Sequence, residues 1–161
     1  MTVQRFLAPS DFSAAETWRL VKWCLQLGAE EFTIDCLAPD AIAVPEVWRE
    51  FDEMVQPFSR EDGVRERMSG ATADDLTRST RLWELSENTI HALQRVLPDG
   101  LFGYAPAERG WFEDPVFYRD GRLMLGILSH EAFAVLRLTE VESQQLSVAG
   151  FASHESLPRA R

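Results

Sequence analysis

Metal ligands and reactive thiols are scarce in this sequence, which has three histidines and two cysteines among 161 residues. A metal site needs several histidine, cysteine or carboxylate ligands converging on one point. No H-E-x-x-H or C-x-x-C spacing offers them, so neither a metal nor another cofactor is expected. Cys24 and Cys36 lie in apolar stretches and read as buried free thiols, with a single disulfide between them as the alternative. Free thiols fit a reducing compartment, and a cytoplasmic location is expected. Phosphate cradles of the G-x-x-x-x-G-K or G-x-G-x-x-G type are missing, as is the G-x-S-x-G elbow that exposes a nucleophilic serine. Gly100, Gly103 and Gly110 read as loop punctuation. No stretch approaches the about 18 uninterrupted apolar residues of a membrane span. The opening MTVQRFLAPSDF lacks a basic region followed by an apolar run, so no signal peptide and no membrane partner are expected.

Positive charge is also in short supply. Lysine occurs once, at Lys22, and 16 basic residues face 26 acidic ones for a net charge of −10. Such a field repels a phosphate backbone, which argues against nucleic acid as a partner. The acid is concentrated. Residues 30–62 hold ten carboxylates against two arginines, Arg49 and Arg60, and so carry eight of the ten net negative charges.

Aromatic and aliphatic surface, by contrast, is plentiful. Ten Phe, five Trp and two Tyr within a 45% apolar composition give large burial per residue and argue against disorder. A chain of this length buries about 70% of the surface its unfolded form exposes, so it needs no staples. The expectation is one domain over 1–151 and a frayed polar tail over 152–161.

The apolar pattern alternates between helix and strand periods. Residues 3–7 read as a short strand. Ser10 or Ser13 then starts a helix, and Ser13-Ala-Ala-Glu16 has the form of a capping box. Trp18, Val21, Cys24 and Leu25 share its apolar face, Trp23 lies at the edge of the polar one, and Gly28 stops it. Residues 31–37 alternate as a half-buried strand with Phe32, Ile34 and Cys36 inward. Pro45 is placed as the first residue of a second helix, with Val47, Trp48, Phe51, Met54 and Val55 as its stripe and Pro57 as its end. Residues 59–79, poor in apolar anchors, read as a mobile loop with a helical turn around Val64 and Met68. A strand over 80–85, with Trp83 and Leu85 inward, precedes a third helix capped by Ser86 or Asn88. Residues 101–114 read as an aromatic loop. Asp120-Gly121 is the residue pair of a type I′ hairpin, which sets Tyr118 against Leu123 and Val116 against Leu125. A second turn at Ser129-His130-Glu131 leads to a strand over 132–138, and Thr139-Glu-Val-Glu142 caps a last helix. The fold expected is α+β: a mostly antiparallel sheet of about five to six strands with three to four helices mainly on one face.

Two groups of residues carry candidate chemistry. Glu46, Glu50 and Glu53 recur at i, i+4 and i+7 on the helix begun by Pro45, one above the other on its polar face. Like charges so placed cost the helix a few tenths of a kcal/mol per pair, which Glu46 partly recovers at the positive helix N-terminus and Glu50 and Glu53 do not. The second group is Trp111, Glu113, Asp114, His130 and Glu131. Glu113-Asp114 beside aromatics reads as a solvated pair, with a sugar or cation site as the functional alternative. Ser129-His130-Glu131 cannot form a relay among themselves, because adjacent residues on an extended chain point to opposite faces. Arg119 and Arg122 face each other across the hairpin, with their repulsion expected to be screened by solvent. The leading expectation is a non-enzymatic, immunity- or inhibitor-like module that binds a basic protein through its acidic face. The rival is a small enzyme or small-ligand sensor with its site between the 102–118 loop and the His130-Glu131 turn.

Overall fold

The computed structural model of the protein describes residues 1–37, 45–66, 78–103 and 110–157. In chain order the elements are β1 (Thr2–Leu7), α1 (Ala14–Gln26), β2 (Glu31–Leu37), α2 (Glu46–Val55), β3 (Gly63–Arg65), β4 (Arg78–Thr80), β5 (Trp83–Glu84), α3 (Glu87–Val96), β6 (Trp111–Arg119), β7 (Arg122–Leu128), β8 (Phe133–Thr139) and α4 (Glu140–Val148). Six strands form one antiparallel sheet in the order β1-β8-β7-β6-β2-β5, and β3 pairs with β4 in a separate ribbon. The fold is α+β, as the pattern predicts.

Local chemistry starts three of the four helices. Ser13 with Glu16, Ser86 with Thr89 and Thr139 with Glu142 each form a reciprocal capping box that satisfies orphan backbone donors at the helix start. Pro45 sits one residue earlier than the sequence suggests, at the N-cap of α2. The buried residues of all four helices join one core cluster. Trp18, Phe51, Leu93 and Leu146 meet Phe32, Phe117, Leu125 and Leu136 there. Helices therefore cover one face of the sheet. The reverse face carries two smaller clusters, Val116, Tyr118 and Leu123 with Leu82, and Leu128, Phe133 and Val135 with Phe6.

Two bulges shift the register. Tyr118 faces Leu123 as expected, but Val116 faces Gly126, because Met124 is an extra residue between Leu123 and Leu125. Met124 and Leu125 thus both enter the core while Leu123 goes to the reverse face. The second bulge lies in β6, where Asp114 and Pro115 together oppose Ile34, since Asp35 faces Glu113 and Thr33 faces Val116. Asp114 there has φ of 50°. The bulge accommodates Pro115, which has no N–H to give a ladder.

Several expectations are corrected. Part of the 59–79 segment is ordered: Val64 lies in β3 rather than a helical turn, and Met68 is outside the described residues. Its anchors are polar. Arg65 bonds Glu31, while Glu66 accepts from Arg137 at 2.7 Å and from the Leu123 N–H at 3.1 Å. Glu31 and Thr33 are both buried, so β2 is covered on both faces. The strand over 80–85 shrinks to Trp83–Glu84, although Trp83 and Leu85 do point inward. The aromatic loop ends earlier, since 111–114 belong to β6. Of the tail expected to fray, residues 158–161 lie outside the described residues, while His154 exchanges two backbone hydrogen bonds with Phe6, both at 2.8 Å, and its Nε2 lies 2.8 Å from Asp11. Trp23 packs on Phe151, with ring centroids 6.0 Å apart.

The Arg119–Arg122 repulsion is relieved by acid rather than by solvent alone. Arg119 binds Glu142 bidentately, at 2.6 and 3.2 Å, and donates to the Leu27 carbonyl. That hydrogen bond holds the Glu142 carboxyl below its ordinary range. A carboxylate whose folded pKa is depressed adds stability above its unfolded pKa, about 4.3, and loses it as pH falls through the folded value. Glu142→Gln is expected to cost about 2 kcal/mol at pH 7. The gap between variant and wild type should close in urea melts as pH drops below about 4. A gap independent of pH would show that the ion pair is not its source.

Candidate functional site

The β6 bulge sets the geometry of the first candidate group. By adding a residue to β6 it keeps Glu113 and Val116 on the same reverse face of the sheet. The 129–132 turn between β7 and β8 is locked against the bulge. Ser129 Oγ accepts from the Asp114 N–H at 3.0 Å, and Asp114 Oδ1 accepts from the Ser129 N–H at 2.7 Å. Ala132, at φ of 52°, completes that turn. The lock brings His130 to Glu113, with Nε2 2.9 Å from Oε2. Trp111 Nε1 donates to the same oxygen at 3.3 Å.

Glu113 is only 6% exposed. A buried carboxylate must be compensated, and two N–H donors on one oxygen do that here. The reading of Glu113-Asp114 as a solvated pair is therefore corrected: Glu113 orients an imidazole and Asp114 fixes a turn. Glu131 stays exposed at the outer side of that turn. Asp35 faces Glu113 across the β2–β6 ladder, a cross-strand neighbour that sequence reasoning did not select.

The second group lies on α2. Glu46, Glu50 and Glu53 are all exposed. Glu50 and Glu53 border a groove of about 370 Å³ whose other walls are Met54, Arg95 and Val96. Glu50, Arg95 and Val96 also line an adjoining hollow of about 280 Å³, which reaches Val47, Trp111 and Phe112. Trp111 thus belongs to both groups, bordering the hollow and donating to Glu113.

No protein-family model matches this chain, and no match is found among curated proteins or solved structures.

The chemistry rests on the residues themselves. Burial pushes the Cys24 thiol up to about 12 and the Cys36 thiol up to about 11, so neither is a thiolate at neutral pH. Both are free, and Cys36 is only half-buried. Among the described residues no three histidine, cysteine or carboxylate side chains gather as a metal site, and no helix is long and apolar enough to cross a membrane.

Proposed function

We propose that this chain is a non-enzymatic binding module for a basic protein partner, docked along the outer face of α2 and the groove between α2 and α3. One observation carries the reading: the exposed carboxylates of Glu50 and Glu53 border a groove whose other walls are Met54, Val96 and a single cation, Arg95. Partly apolar surface under a charged rim suits a segment that alternates apolar and basic residues. Charge complementarity of this kind speeds association and lends it salt dependence. The buried residues of α2 are Phe51 and Val55, so the three exposed glutamates lie off its core face.

The test is Glu50→Lys with Glu53→Lys. Folding stability is expected to hold within about 0.5 kcal/mol, as for surface changes generally. Capture of the native partner is expected to fall at least about tenfold at low salt, and to differ less at high salt. Unchanged capture at both salt levels would reduce the acidic face to a solvated one.

A second reading rests on the Glu113–His130 pair. A carboxylate that holds one imidazole nitrogen fixes the tautomer of a general base, here in a small enzyme acting at the β7–β8 turn. His130→Gln would then abolish turnover of a substrate found by screening while leaving partner capture intact. Retained turnover in that variant would remove this reading.

A further inference from the structure

We propose that Trp48, Trp83 and Asp52 form a guanidinium-recognition site, filled in the free protein by Arg81, and that an arginine of the basic partner takes Arg81's place. The partner's part in this rests on the binding reading above; the site itself does not. Trp48 and Asp52 lie one turn apart on α2, so they share a face. Trp83 comes from β5, and its ring meets that of Trp48 at 67° with centroids 5.8 Å apart. Two indole faces and a carboxylate thus surround one cation. The guanidinium carbon of Arg81 lies 5.4 Å from the Trp83 centroid and 5.9 Å from that of Trp48, and its Nη2 is 2.6 Å from Asp52 Oδ1. Aromatic walls with one carboxylate are the chemistry by which proteins select organic cations.

Three features mark Arg81 as a replaceable occupant. Both ring distances are near the outer limit of about 6 Å for cation–π attraction. Among the described residues, Asp52 Oδ1 is buried and, despite its closeness to Nη2, has no aligned hydrogen bond. The Arg81 side chain is 39% exposed, so the site it fills is open to water. Its replacement by another guanidinium leaves the charge of the site unchanged. A guanidinium arriving from solvent is not tied to the chain next to β5, so it is free to present two parallel N–H groups to the carboxylate. The site lies beside the acidic face, on the same helix, where a partner rich in basic residues would already be held.

Ethylguanidinium is the probe, titrated at millimolar concentration while tryptophan fluorescence and the Trp83 indole N–H resonance are followed. Arg81→Ala is expected to bind it at least about tenfold more tightly than wild type does, with a shift of that resonance. Adding Asp52→Asn should remove the gain, and ethylammonium should bind more weakly. Arg81→Met keeps the stem over the indoles and gives the same comparison if the alanine variant does not fold. Equal binding by wild type and the folded variants, indifference to Asp52→Asn, or equal binding of ethylammonium would each overturn the proposal. Because the probe is a small cation, a positive titration alongside unchanged capture by the Glu50→Lys, Glu53→Lys protein would keep the site and reject the acidic-face reading.

Discussion

Phe51→Ala is expected to lower the folding free energy by about 4 kcal/mol. Phe51 is fully buried, and its ring lies 5.1 Å from Phe112, 5.7 Å from Trp83 and 5.9 Å from Trp48 by centroid. Truncation forfeits the transfer energy of the ring and leaves a cavity between aromatic neighbours too large to collapse into it. It also frees α2 from the sheet, because Phe51 and Val55 are the fully buried side chains of that helix. Stability of a domain this size is about 5–15 kcal/mol, so the loss is a large share of the whole. Urea melts of Phe51→Ala and Phe51→Leu check it. Leucine keeps most of the volume and should cost about half as much. A loss below about 1 kcal/mol for alanine would mean that α2 is not seated on Trp83 and Phe112 as described.

What the sequence made legible was whatever is encoded within one turn or one alternation. The Ser13–Glu16 and Thr139–Glu142 boxes need only residues three apart, and the Asp120-Gly121 turn needs two, with φ of 51° and 71°. The α2 stripe follows from helical period alone. The segment after α2 stayed hidden because its anchors are polar and distant: Arg65 to Glu31, Glu66 to Arg137 and to a backbone N–H of β7. Hydropathy has no mark for such contacts. His154 is hidden for the same reason, being held by the backbone of β1.

The candidate site was half legible. Trp111, Glu113, Asp114 and His130 stand out as residue types, but their meeting depends on the β6 bulge and the Ser129–Asp114 lock. A bulge inserts one residue, and alternation read along a single strand cannot locate it. Pro115 was the available hint, since a proline inside a central strand calls for a break in the ladder. Asp52 shows the opposite failure. Helical spacing groups it with the solvated acids of α2, whereas its partner Arg81 comes from the chain just before β5.

Gly100→Ala is expected to cost about 3 kcal/mol, with most of that from packing that no sequence pattern marks. Gly100 follows α3 with φ of 90°, a conformation that strains any residue bearing a Cβ by about 1 kcal/mol or more. A Cβ there would also stand 2.6 Å from Thr17 Oγ1 and 2.9 Å from the Ala14 Cα. The first contact is not free to yield, because Thr17 Oγ1 donates to the Ala14 carbonyl at 2.7 Å and accepts from the Leu101 N–H at 3.2 Å. The second is backbone of the first turn of α1. Relief therefore requires the α3 exit to move away from α1, breaking the buried Leu101 hydrogen bond as it goes. Gly121→Ala isolates the conformational part. Its φ is 71° and nothing lies within 4 Å of the added methyl, so about 1 kcal/mol is expected there. Denaturant midpoints of the two variants measure the difference. Equal losses would show that the α1–α3 approach at Gly100 is looser than 2.6 Å implies. A larger loss for Gly100→Ala, reduced when Thr17→Ala removes the hydroxyl in the same chain, would place the clash at Thr17.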